Sequence, residues 1–418
     1  MSGRQKSVLV YVDAEGMGGP ALMGTLHAQS SGRQEVFSFA YAPEWLASES
    51  AFAFDPDLQL LEGAQYPGQS RSSFGIFLDS APDRWGRLLM QRRENLRARQ
   101  EVRTARRLSE WDYLLGVHDE TRLGALRLRS LHGGEFIDSD ARMAAPPITS
   151  VRELQAASAG LEQHIDEEDN PEYARWLNQL LAPGSSLGGA RPKASVRDEA
   201  GALCIAKFPS RADTRDMAAW EMLAHRLAAK CGIRLPAARL LDTGAESTFL
   251  VQRFDRAAGG GRRAFVSAMT LTQRRDGEPG ASYLELVELL QRQGADTLGD
   301  THQLFRRIVF SILIHNTDDH LRNHGFFVED RGVRLSPAYD MNPSTERDDL
   351  TLAINETETA CDVEIARAAH KMYALSLKAA DGLIAEVAAA VKTWRDEAHA
   401  LHIRRSEQDQ MAAAFDGL

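Results

Sequence analysis

The sequence contains little cysteine and no long apolar run. Three cysteines occur in 418 residues, Cys204, Cys231 and Cys361, and they lack the spacing of metal ligands. This scarcity argues against a disulfide scaffold and against a zinc site. A membrane-spanning helix would need about 20 consecutive apolar residues, and no such stretch or signal peptide is present. We therefore expect a reduced, cytoplasmic protein with no membrane contact.

An excess of positive charge is also missing. Acidic residues outnumber basic ones, 59 against 49, so the formal net charge is -10. This balance argues against a protein that coats nucleic acid, although local basic patches are compatible with it. The densest basic stretch is Arg84–Arg107, in which nine residues are arginine. A solvated helical face explains it most simply, and a surface for a phosphate-bearing or acidic partner is the alternative.

A predicted helix in the last third of the chain is followed by a segment rich in polar residues. The apolar residues that recur at the spacing of one helix face are Leu304, Phe305, Ile308, Val309 and Ile312. The polar segment that follows runs from His315 to Asn323. Polar side chains at the end of a buried helix are typical either of capping or of a functional loop.

Asp318 and Asn323 have the D-x-x-x-x-N spacing of a kinase catalytic loop, and Asp340 follows downstream. Phosphoryl transfer needs a carboxylate that deprotonates the attacking hydroxyl, and oxygen ligands for magnesium on the phosphates. Asp318 suits the first role, and Asn323 with Asp340 suits the second. The alternative is that Asp and Asn collect at helix ends because they satisfy free backbone groups. The spacing by itself leaves both interpretations open.

A second candidate segment, residues 185–194, is rich in small side chains. Small residues let backbone amides approach phosphate oxygens closely. A hairpin is predicted next, and its return strand, Ala202–Phe208, carries Lys207. A strand lysine one hairpin after such a loop is where a kinase holds the α- and β-phosphates. Taken alone, the segment is equally explained as a flexible hairpin.

Turn signals and periodicity predict several further elements. Strands are expected at Ser7–Val12 and Glu35–Ala40, and a helix is expected to begin near Pro171. Two short strands at Phe326–Val328 and Val333–Leu335 are expected to form a hairpin that brings Asp340 back to the site.

Other predicted elements lie beside the candidate residues. A helix is expected at Thr214–Cys231, where Glu221 would orient Lys207 or, more simply, lie exposed. A strand ending at Phe254 would form the hinge that holds adenine, or be ordinary core. Two long helices are expected in the last part of the chain, at Glu364–Leu377 and Ala379–Leu401.

Several segments, in this order along one chain, resemble the HipA family of serine/threonine kinase toxins from bacterial toxin–antitoxin modules. The segments that carry the resemblance are Tyr41–Ser48, Ser186–Lys193, Val251–Arg256, Thr317–Asn323 and Tyr339–Asp340. The resemblance spans nearly the whole chain. It implies an α+β, bilobed, protein-kinase-like fold with three parts: an N-terminal subdomain at 1–146, a small lobe at 147–260 and a helical catalytic lobe at 261–418.

The resemblance also implies roles for particular residues. Asp318 would be the catalytic base, Asn323 and Asp340 would hold Mg²⁺, and Lys207 would bind the phosphates of ATP. The residues that would wrap the nucleotide are Gly188, Gly189, Ala190, Arg191, Pro192 and Lys193. The residues that would hold adenine or complete the site are Gln252, Arg253, Phe254, His320, Leu321, Arg322 and Tyr339.

Ser186 falls where the family carries a regulatory serine that is autophosphorylated. A dianionic group there would repel the phosphates of ATP and keep the loop from folding over them, so the kinase would switch itself off. The adjacent Ser185 is the alternative acceptor. Two departures from the family's pattern occur. Asp319 stands where some relatives have glycine, and it would be a further metal contact or an alternative base. Gln252 is neutral where some relatives have an acidic residue.

By resemblance, the substrate would be an aminoacyl-tRNA synthetase, with a glutamyl-tRNA synthetase as the leading candidate, and its phosphorylation would arrest translation. The implied partner is a HipB-like antitoxin that binds DNA, so the chain itself would meet DNA only indirectly. Two alternatives stay open. A small-molecule phosphotransferase shares the D-x-x-x-x-N loop, and a non-catalytic corepressor would merely bind the antitoxin. Lys207, Asp318, Asn323 and Asp340 together argue against the second.

Overall fold

The computed structural model of the protein describes residues 5–31, 34–68, 71–164, 170–181, 189, 191–244 and 247–415. The chain divides into two units. Unit 1 consists of Met1–Ala212 and Asp255–Val266, and unit 2 consists of Asp213–Phe254 and Ser267–Leu418. The predicted three-part division, with boundaries at residues 146 and 260, stays a prediction, because the division into two units does not test subdomain boundaries.

Unit 1 contains an antiparallel sheet, the strands β5 and β6, and helices. Its strands are β1 Gln5–Val12, β2 Ala21–Ser31, β3 Gln34–Tyr41, β4 Leu126–Arg129, β5 Lys193–Arg197 and β6 Leu203–Lys207. Its helices are α1 Pro43–Leu46, α2 Gly75–Asp79, α3 Arg84–Gln100, α4 Glu110–Leu115, α5 Val151–Gln163 and α6 Pro171–Leu181. The helix predicted to begin at Pro171 is therefore present, as are β1, β3 and the β5–β6 hairpin.

The sheet of unit 1 has the strand order β3-β2-β1-β4. Val8, Val10 and Val12 point to the core at alternate positions of β1 and are at most 1% exposed, as the period of two in a strand requires. A bulge in β2 follows from the register, since Val10 pairs with Gly24 and Tyr11 pairs with Leu22. Glycine is needed at position 24 because a Cβ there would collide with the backbone of β3.

Unit 2 is mainly helical. Its strands are β7 Ala238–Asp242, β8 Ser247–Gln252, β10 Gly325–Glu329 and β11 Gly332–Leu335, and the short β9, Phe265–Ser267, lies where the chain enters it again. Its helices are α7 Met217–Lys230, α8 Ala268–Leu271, α9 Tyr283–Gln293, α10 Thr297–Leu313, α11 Val363–Ala368, α12 Leu377–Val391, α13 Trp394–Ala400 and α14 Arg405–Met411. None of the described helices combines the length and the apolar composition needed to cross a membrane.

Helix α10 is largely buried within unit 2. Every member of its predicted apolar face, including Leu304, Phe305 and Ile308, is at most 2% exposed. The β10–β11 hairpin is fixed to α10 by Asp300, whose carboxylate accepts from Leu335 N and Arg334 Nε, each at 2.9 Å. These bonds fix where the chain enters the segment that contains Asp340.

Two predictions about helices in unit 2 are wrong. The long helices expected at 364–377 and 379–401 are three shorter ones, α11, α12 and α13. Ala374 adopts the left-handed φ of 57°, and the Ser376 side chain accepts from Ala379 N, so that a new helix begins there. Glu221 was expected to lie exposed, yet it is only 9% exposed on α7, because α7 buries much more than one narrow stripe.

Candidate active site

The loop after α10 brings Asp318 and Asn323 into direct contact. Helix α10 ends at Leu313, and His315 turns the chain with a φ of 48°. The Asn323 side chain is 8% exposed and donates from Nδ2 to the Asp318 carbonyl oxygen at 3.2 Å. The Asp318 carboxylate itself is 85% exposed. The loop therefore presents one carboxylate to solvent while the amide behind it fixes the backbone.

The neighbouring Asp319 has the opposite environment. It is 4% exposed, and its carboxylate accepts from the Tyr283 hydroxyl at 2.6 Å and lies 2.9 Å from His324 Nε2. Burial raises the pKa of Asp319, but the His324 imidazole and the Tyr283 hydroxyl together hold that pKa below its usual range. Both carboxylate oxygens of Asp319 thus have partners within the fold.

Arg347 approaches the exposed carboxylate from a neighbouring segment. Its guanidinium lies 3.6 Å from Asp318 Oδ1 and donates to the Thr317 carbonyl oxygen at 3.0 Å. Thr351 donates to the same carbonyl oxygen at 2.9 Å. A positive charge is therefore fixed beside the Asp318 carboxylate.

The segment around Asp340 is tied to the same loop. The Tyr339 hydroxyl donates to the Arg322 carbonyl oxygen at 2.7 Å, and Asn342 N donates to Asn316 Oδ1 at 3.1 Å. Asp340 lies between these two bonds and has a φ of 59°, which few residues other than glycine adopt. Backbone strain of this kind is common at ligand-binding positions. The structure thus brings the segments of Asp318, Asn323 and Asp340 together within unit 2.

Phe254, at the end of the predicted hinge, packs against this segment. Its ring centroid lies 5.3 Å from that of Tyr339 and 5.9 Å from that of Phe327. Gln252 closes β8 by donating from its backbone N to Ala237 O at 2.8 Å, whereas Arg253 is buried at 2% exposure. The hinge and the loop thereby share one aromatic contact, through Tyr339.

The rest of the predicted loop residues form one short turn. Leu321–Asn323 is a 3₁₀ turn, closed by Asn323 N donating to His320 O at 2.8 Å. Leu321 is buried, whereas Arg322 is exposed and lies 3.9 Å from Asp276. The buried side chain of Leu321 therefore anchors the turn, and its predicted part in nucleotide binding stays a prediction.

The predicted metal ligands form a sparse set. Among the residues that the structure describes, no group of three His, Cys, Asp or Glu side chains has the geometry of a metal site. Asn323 and Asp340 would supply one amide oxygen and one carboxylate. Mg²⁺ fits such a set, because it commonly keeps several waters and takes its other ligands from substrate phosphates. The donor chemistry is therefore compatible with an ion that arrives with a nucleotide.

Unit 1 holds the described part of the predicted phosphate loop. Lys193, at the start of β5, forms a 2.8 Å ion pair with Asp83, and both side chains are at most 5% exposed. Asp83 also caps α3 by accepting from Gly86 N at 2.7 Å. Burial raises the pKa of Asp83, and the Lys193 ammonium acts in the opposite direction. Gly189, with a φ of 114°, accepts from Trp85 N at 3.4 Å. The start of α3 therefore holds both ends of this stretch.

Lys207 lies directly opposite Lys193 in the β5–β6 register. Like charges at opposed positions of a hairpin repel each other and reduce its stability. Asp83 neutralises the charge of Lys193 and so reduces this repulsion. Arg191 and Pro192 precede the strand, and Pro192 O accepts from Phe208 N at 3.0 Å.

Some predicted residues lie outside the described part of the chain: Ser185, Ser186, Gly188 and Ala190. Sequence reasoning also missed residues that the structure places at the site. Tyr283 and His324 hold Asp319, Arg347 approaches Asp318, and Asp83 holds Lys193. His324 follows Asn323 directly and was within reach of motif reasoning, but the other three are distant in sequence and carry no local signal.

The fold and the loop define a kinase-like α+β protein, and comparison with known proteins gives its family. The model of the family described as "HipA-like C-terminal domain" matches residues 185–394, half of the chain. The chain belongs to this HipA-like family, as its sequence predicts. The HipA chain of Shewanella oneidensis MR-1, solved with HipB and operator DNA, has a TM-score of 0.66 at 15% identity. That match covers 98% of this chain and 95% of the other, and it confirms the predicted fold class.

Two further similar proteins were found. A Sinorhizobium fredii protein named "Putative kinase Y4mE" is 26% identical over 156 residues, which are 35% of this chain and 36% of that protein. The chain thus matches about a third of this curated relative. The Helicobacter pylori proinflammatory kinase CtkA covers 53% of this chain with a TM-score of 0.37, which is too low to carry an argument.

Proposed function

We propose that the protein is an ATP-dependent protein serine/threonine kinase. The observation that carries the proposal is the geometry of the loop after α10. Asp318 is exposed there, Asn323 fixes its backbone, and Tyr339 and Asn342 tie the Asp340 segment to the same loop. A carboxylate open to an incoming hydroxyl, with amide and carboxylate oxygens beside it, is the arrangement that phosphoryl transfer uses.

In the proposed reaction, the oxygen of an acceptor hydroxyl attacks the γ-phosphorus of ATP. The bond between that phosphorus and the β–γ bridging oxygen breaks, and ADP leaves with the electron pair. Asp318 accepts the hydroxyl proton, and the Arg347 guanidinium lies 3.6 Å from its carboxylate. Asn323 and Asp340 would hold Mg²⁺, which neutralises phosphate charge. Asp319 is not the base in this proposal, because Tyr283 and His324 occupy both its oxygens.

Nucleotide binding in the proposal follows the family resemblance. Lys207 binds the phosphates, Gly188–Lys193 wrap them, and the backbone at Gln252–Phe254 holds adenine. The strand register supports the role of Lys207, because it places this lysine directly opposite Lys193, the last residue of the predicted phosphate loop. A dianionic phosphate on Ser186 would then act as self-inactivation.

The biological role proposed is that of the toxin in a HipBA-like module. Family membership supports this role, and the structural neighbour was solved with HipB and operator DNA. We propose a HipB-like antitoxin as the partner and an aminoacyl-tRNA synthetase, first of all a glutamyl-tRNA synthetase, as the substrate. In this proposal the cofactors are ATP and Mg²⁺, and the protein acts in the cytoplasm.

The test compares ATP turnover and protein phosphorylation in the wild type and in Asp318→Ala. General base catalysis typically contributes about 10²–10⁴-fold, so we expect a loss of at least about 100-fold. Asp330→Ala, at the exposed turn of the β10–β11 hairpin, is the matched control and should retain the wild-type rate. Equal rates in the wild type and Asp318→Ala would remove the assignment.

Substrate and self-inactivation need a second measurement. The protein is incubated with magnesium ATP and a bacterial lysate, and phosphopeptides are identified by mass spectrometry. We expect a phosphate on Ser186 and a phosphorylated synthetase, both absent with Asp318→Ala. Phosphate found solely on a small molecule would instead identify a small-molecule phosphotransferase.

A further inference from the structure

The basic stretch Arg84–Arg107 lines part of a cavity in unit 1. The cavity has a volume of about 270 Å³ and is lined by residues of α3, of α4 and of the segment that joins them. Its apolar wall includes Met90, Leu108 and Trp111. Arg93, Arg97 and Arg106 also line it, so that an apolar surface is combined with guanidinium groups in a small volume.

The two carboxylates at the cavity wall are already neutralised. Glu94 accepts from Arg103 at 2.6 Å, and Asp112 accepts from Arg106 at 2.7 Å. Arg103 holds the pKa of Glu94 below its usual range. Burial raises the pKa of Asp112, but Arg106 and the hydrogen bonds from Ser109 together hold that pKa below its usual range. Both acids therefore stay ionised near neutral pH and are committed to their own arginines.

Arg93 and Arg97 have no such partner. Within the described ranges, no carboxylate lies within 4.0 Å of either guanidinium. The two side chains are four residues apart on α3, where like charges destabilise a helix. Burial lowers the pKa of Arg93, the charge of Arg97 lowers it further, and Asp138 acts in the opposite direction from a greater distance. Two neighbouring positive charges thus line the cavity, and no carboxylate in the described part of the chain forms an ion pair with either of them.

We propose that this cavity binds a small phosphomonoester with an apolar group. Arg93 and Arg97 bind the phosphate, and the wall formed by Met90, Leu108 and Trp111 contacts the apolar group. A phosphomonoester carries a charge of about -1.5 to -2 at neutral pH, which matches two unpaired guanidiniums, whereas a carboxylate would neutralise one. The planar guanidinium also pairs with phosphate through two hydrogen bonds. The site is separate from the proposed catalytic loop, and its chemistry does not require the proposed kinase activity.

The test measures binding of phenyl phosphate by titration calorimetry. We expect binding to the wild type and at least about tenfold weaker binding to Arg93→Gln and to Arg97→Gln, because a hydrogen bond to a charged group contributes about a tenfold effect or more. Arg84→Gln is the matched control, since Arg84 lies on the same helix, is exposed and does not line the cavity. Lys207→Met controls for binding at the proposed nucleotide site. Both controls should bind as tightly as the wild type.

Chemical specificity is tested with two further probes. Inorganic phosphate lacks the apolar group and benzoate lacks the second negative charge, so both should bind about tenfold more weakly than phenyl phosphate. Benzoate that binds as tightly as phenyl phosphate would overturn the assignment of a dianion. Equal binding of inorganic phosphate would overturn the role of the apolar wall.

A pH series gives a readout that does not depend on the folding of any variant. The second pKa of a phosphomonoester is about 6, so the dianion fraction and the affinity should fall about fourfold from about pH 8 to about pH 5.5. Glu94 and Asp112 remain ionised over that range, and benzoate binding should stay constant. The proposed site is contradicted if phenyl phosphate does not bind the wild type, or if Arg93→Gln and Arg97→Gln bind it with the affinity of the wild type.

Discussion

Two pairs of Asp with a basic residue, one in each unit, illustrate opposite uses of the same charges. Asp83 and Lys193 in unit 1 are 2.8 Å apart and at most 5% exposed. Asp318 and Arg347 in unit 2 are 3.6 Å apart, with the carboxylate 85% and the arginine 53% exposed. Water screens the second pair and leaves its carboxylate accessible. The first pair has lost its water, so that each charge depends on the other.

The difference separates structural from chemical roles. A buried ion pair fixes the position of its elements, here the start of α3 and the start of β5, because breaking it would leave a bare charge in the interior. An exposed carboxylate costs little to keep ionised and can receive a proton from a substrate. The neighbouring carboxylates of Asp318 and Asp319 show the same contrast within one loop.

The largest effect is expected when the buried pair is broken. Asp83→Ala leaves Lys193 buried without its counter-charge, so the free energy of unfolding should fall by about 3–5 kcal/mol. Urea denaturation measures this change. A double variant, Asp83→Asn with Lys193→Met, keeps a cap for α3 and removes both charges, and it should regain most of the stability. A loss below about 1 kcal/mol in Asp83→Ala would mean that the pair is hydrated.

The second prediction concerns Asp319. Asp319→Asn weakens the hydrogen bond from Tyr283 and removes the charge that faces His324, so stability should fall by about 1.5–3 kcal/mol. The phosphorylation rate should fall far less than in Asp318→Ala, because Asp319 holds the loop without receiving the proton. Urea denaturation and ATP turnover are measured on the same preparation. A rate loss equal to that of Asp318→Ala would exchange the roles of the two acids.

The third prediction uses a buried carboxylate that is held by backbone groups. Asp55 is 1% exposed and accepts from Asp57 N and Ile76 N, and burial raises its pKa from 3.8 to about 6. The folded state therefore holds a proton that the unfolded state has lost between these values, and the contribution of Asp55 to stability falls as pH rises.

From about pH 5 to about pH 7.5 this contribution should fall by about 1–1.5 kcal/mol. Asp55→Asn does not titrate, so its stability relative to the wild type should improve by that amount over the same range. Urea denaturation at several pH values gives the comparison, in which the other titrating groups cancel. A constant difference between the two proteins would show that the carboxyl of Asp55 keeps its ordinary pKa in the fold.

The smallest effect is expected for the exposed pair. Arg347→Ala should change the free energy of unfolding by no more than about 1 kcal/mol, and added salt should reduce even that difference. Arg347→Lys retains the charge and is the matched control. A loss comparable to that of Asp83→Ala would mean that Arg347 supports the fold mainly through its bond to the Thr317 carbonyl oxygen.

Much of the fold followed from periodicity. The apolar face of α10, the hairpins β5–β6 and β10–β11 and the start of α6 at Pro171 were predicted, because each has a clear period or a turn signal. Strand β2 was missed, since its bulge between Leu22 and Gly24 shifts the alternation of buried and exposed residues by one position. The long C-terminal helices were predicted without their breaks, because Ala374 carries no sequence signal for a left-handed turn.

The candidate site was predicted less completely. Motif spacing found Asp318, Asn323 and Asp340, whose segments lie together in unit 2, and their catalytic roles stay predictions. The spacing did not reveal that Asp318 is exposed and Asp319 is buried. Two adjacent aspartates look alike in the sequence, and their exposure depends on which other residues pack against them. Tyr283 lies 36 positions before Asp319, so only the folded chain relates them.

By itself, the amino-acid sequence determined the family, the α+β class and the order of the candidate segments, since these depend on residue identity and local spacing. Tertiary structure alone decided which charges are buried. It paired Lys193 with Asp83, enclosed Asp319 and left Asp318 in water. The reason is physical: the energy of a charge depends on the solvent and partners around it, and those come from residues that are distant in the sequence.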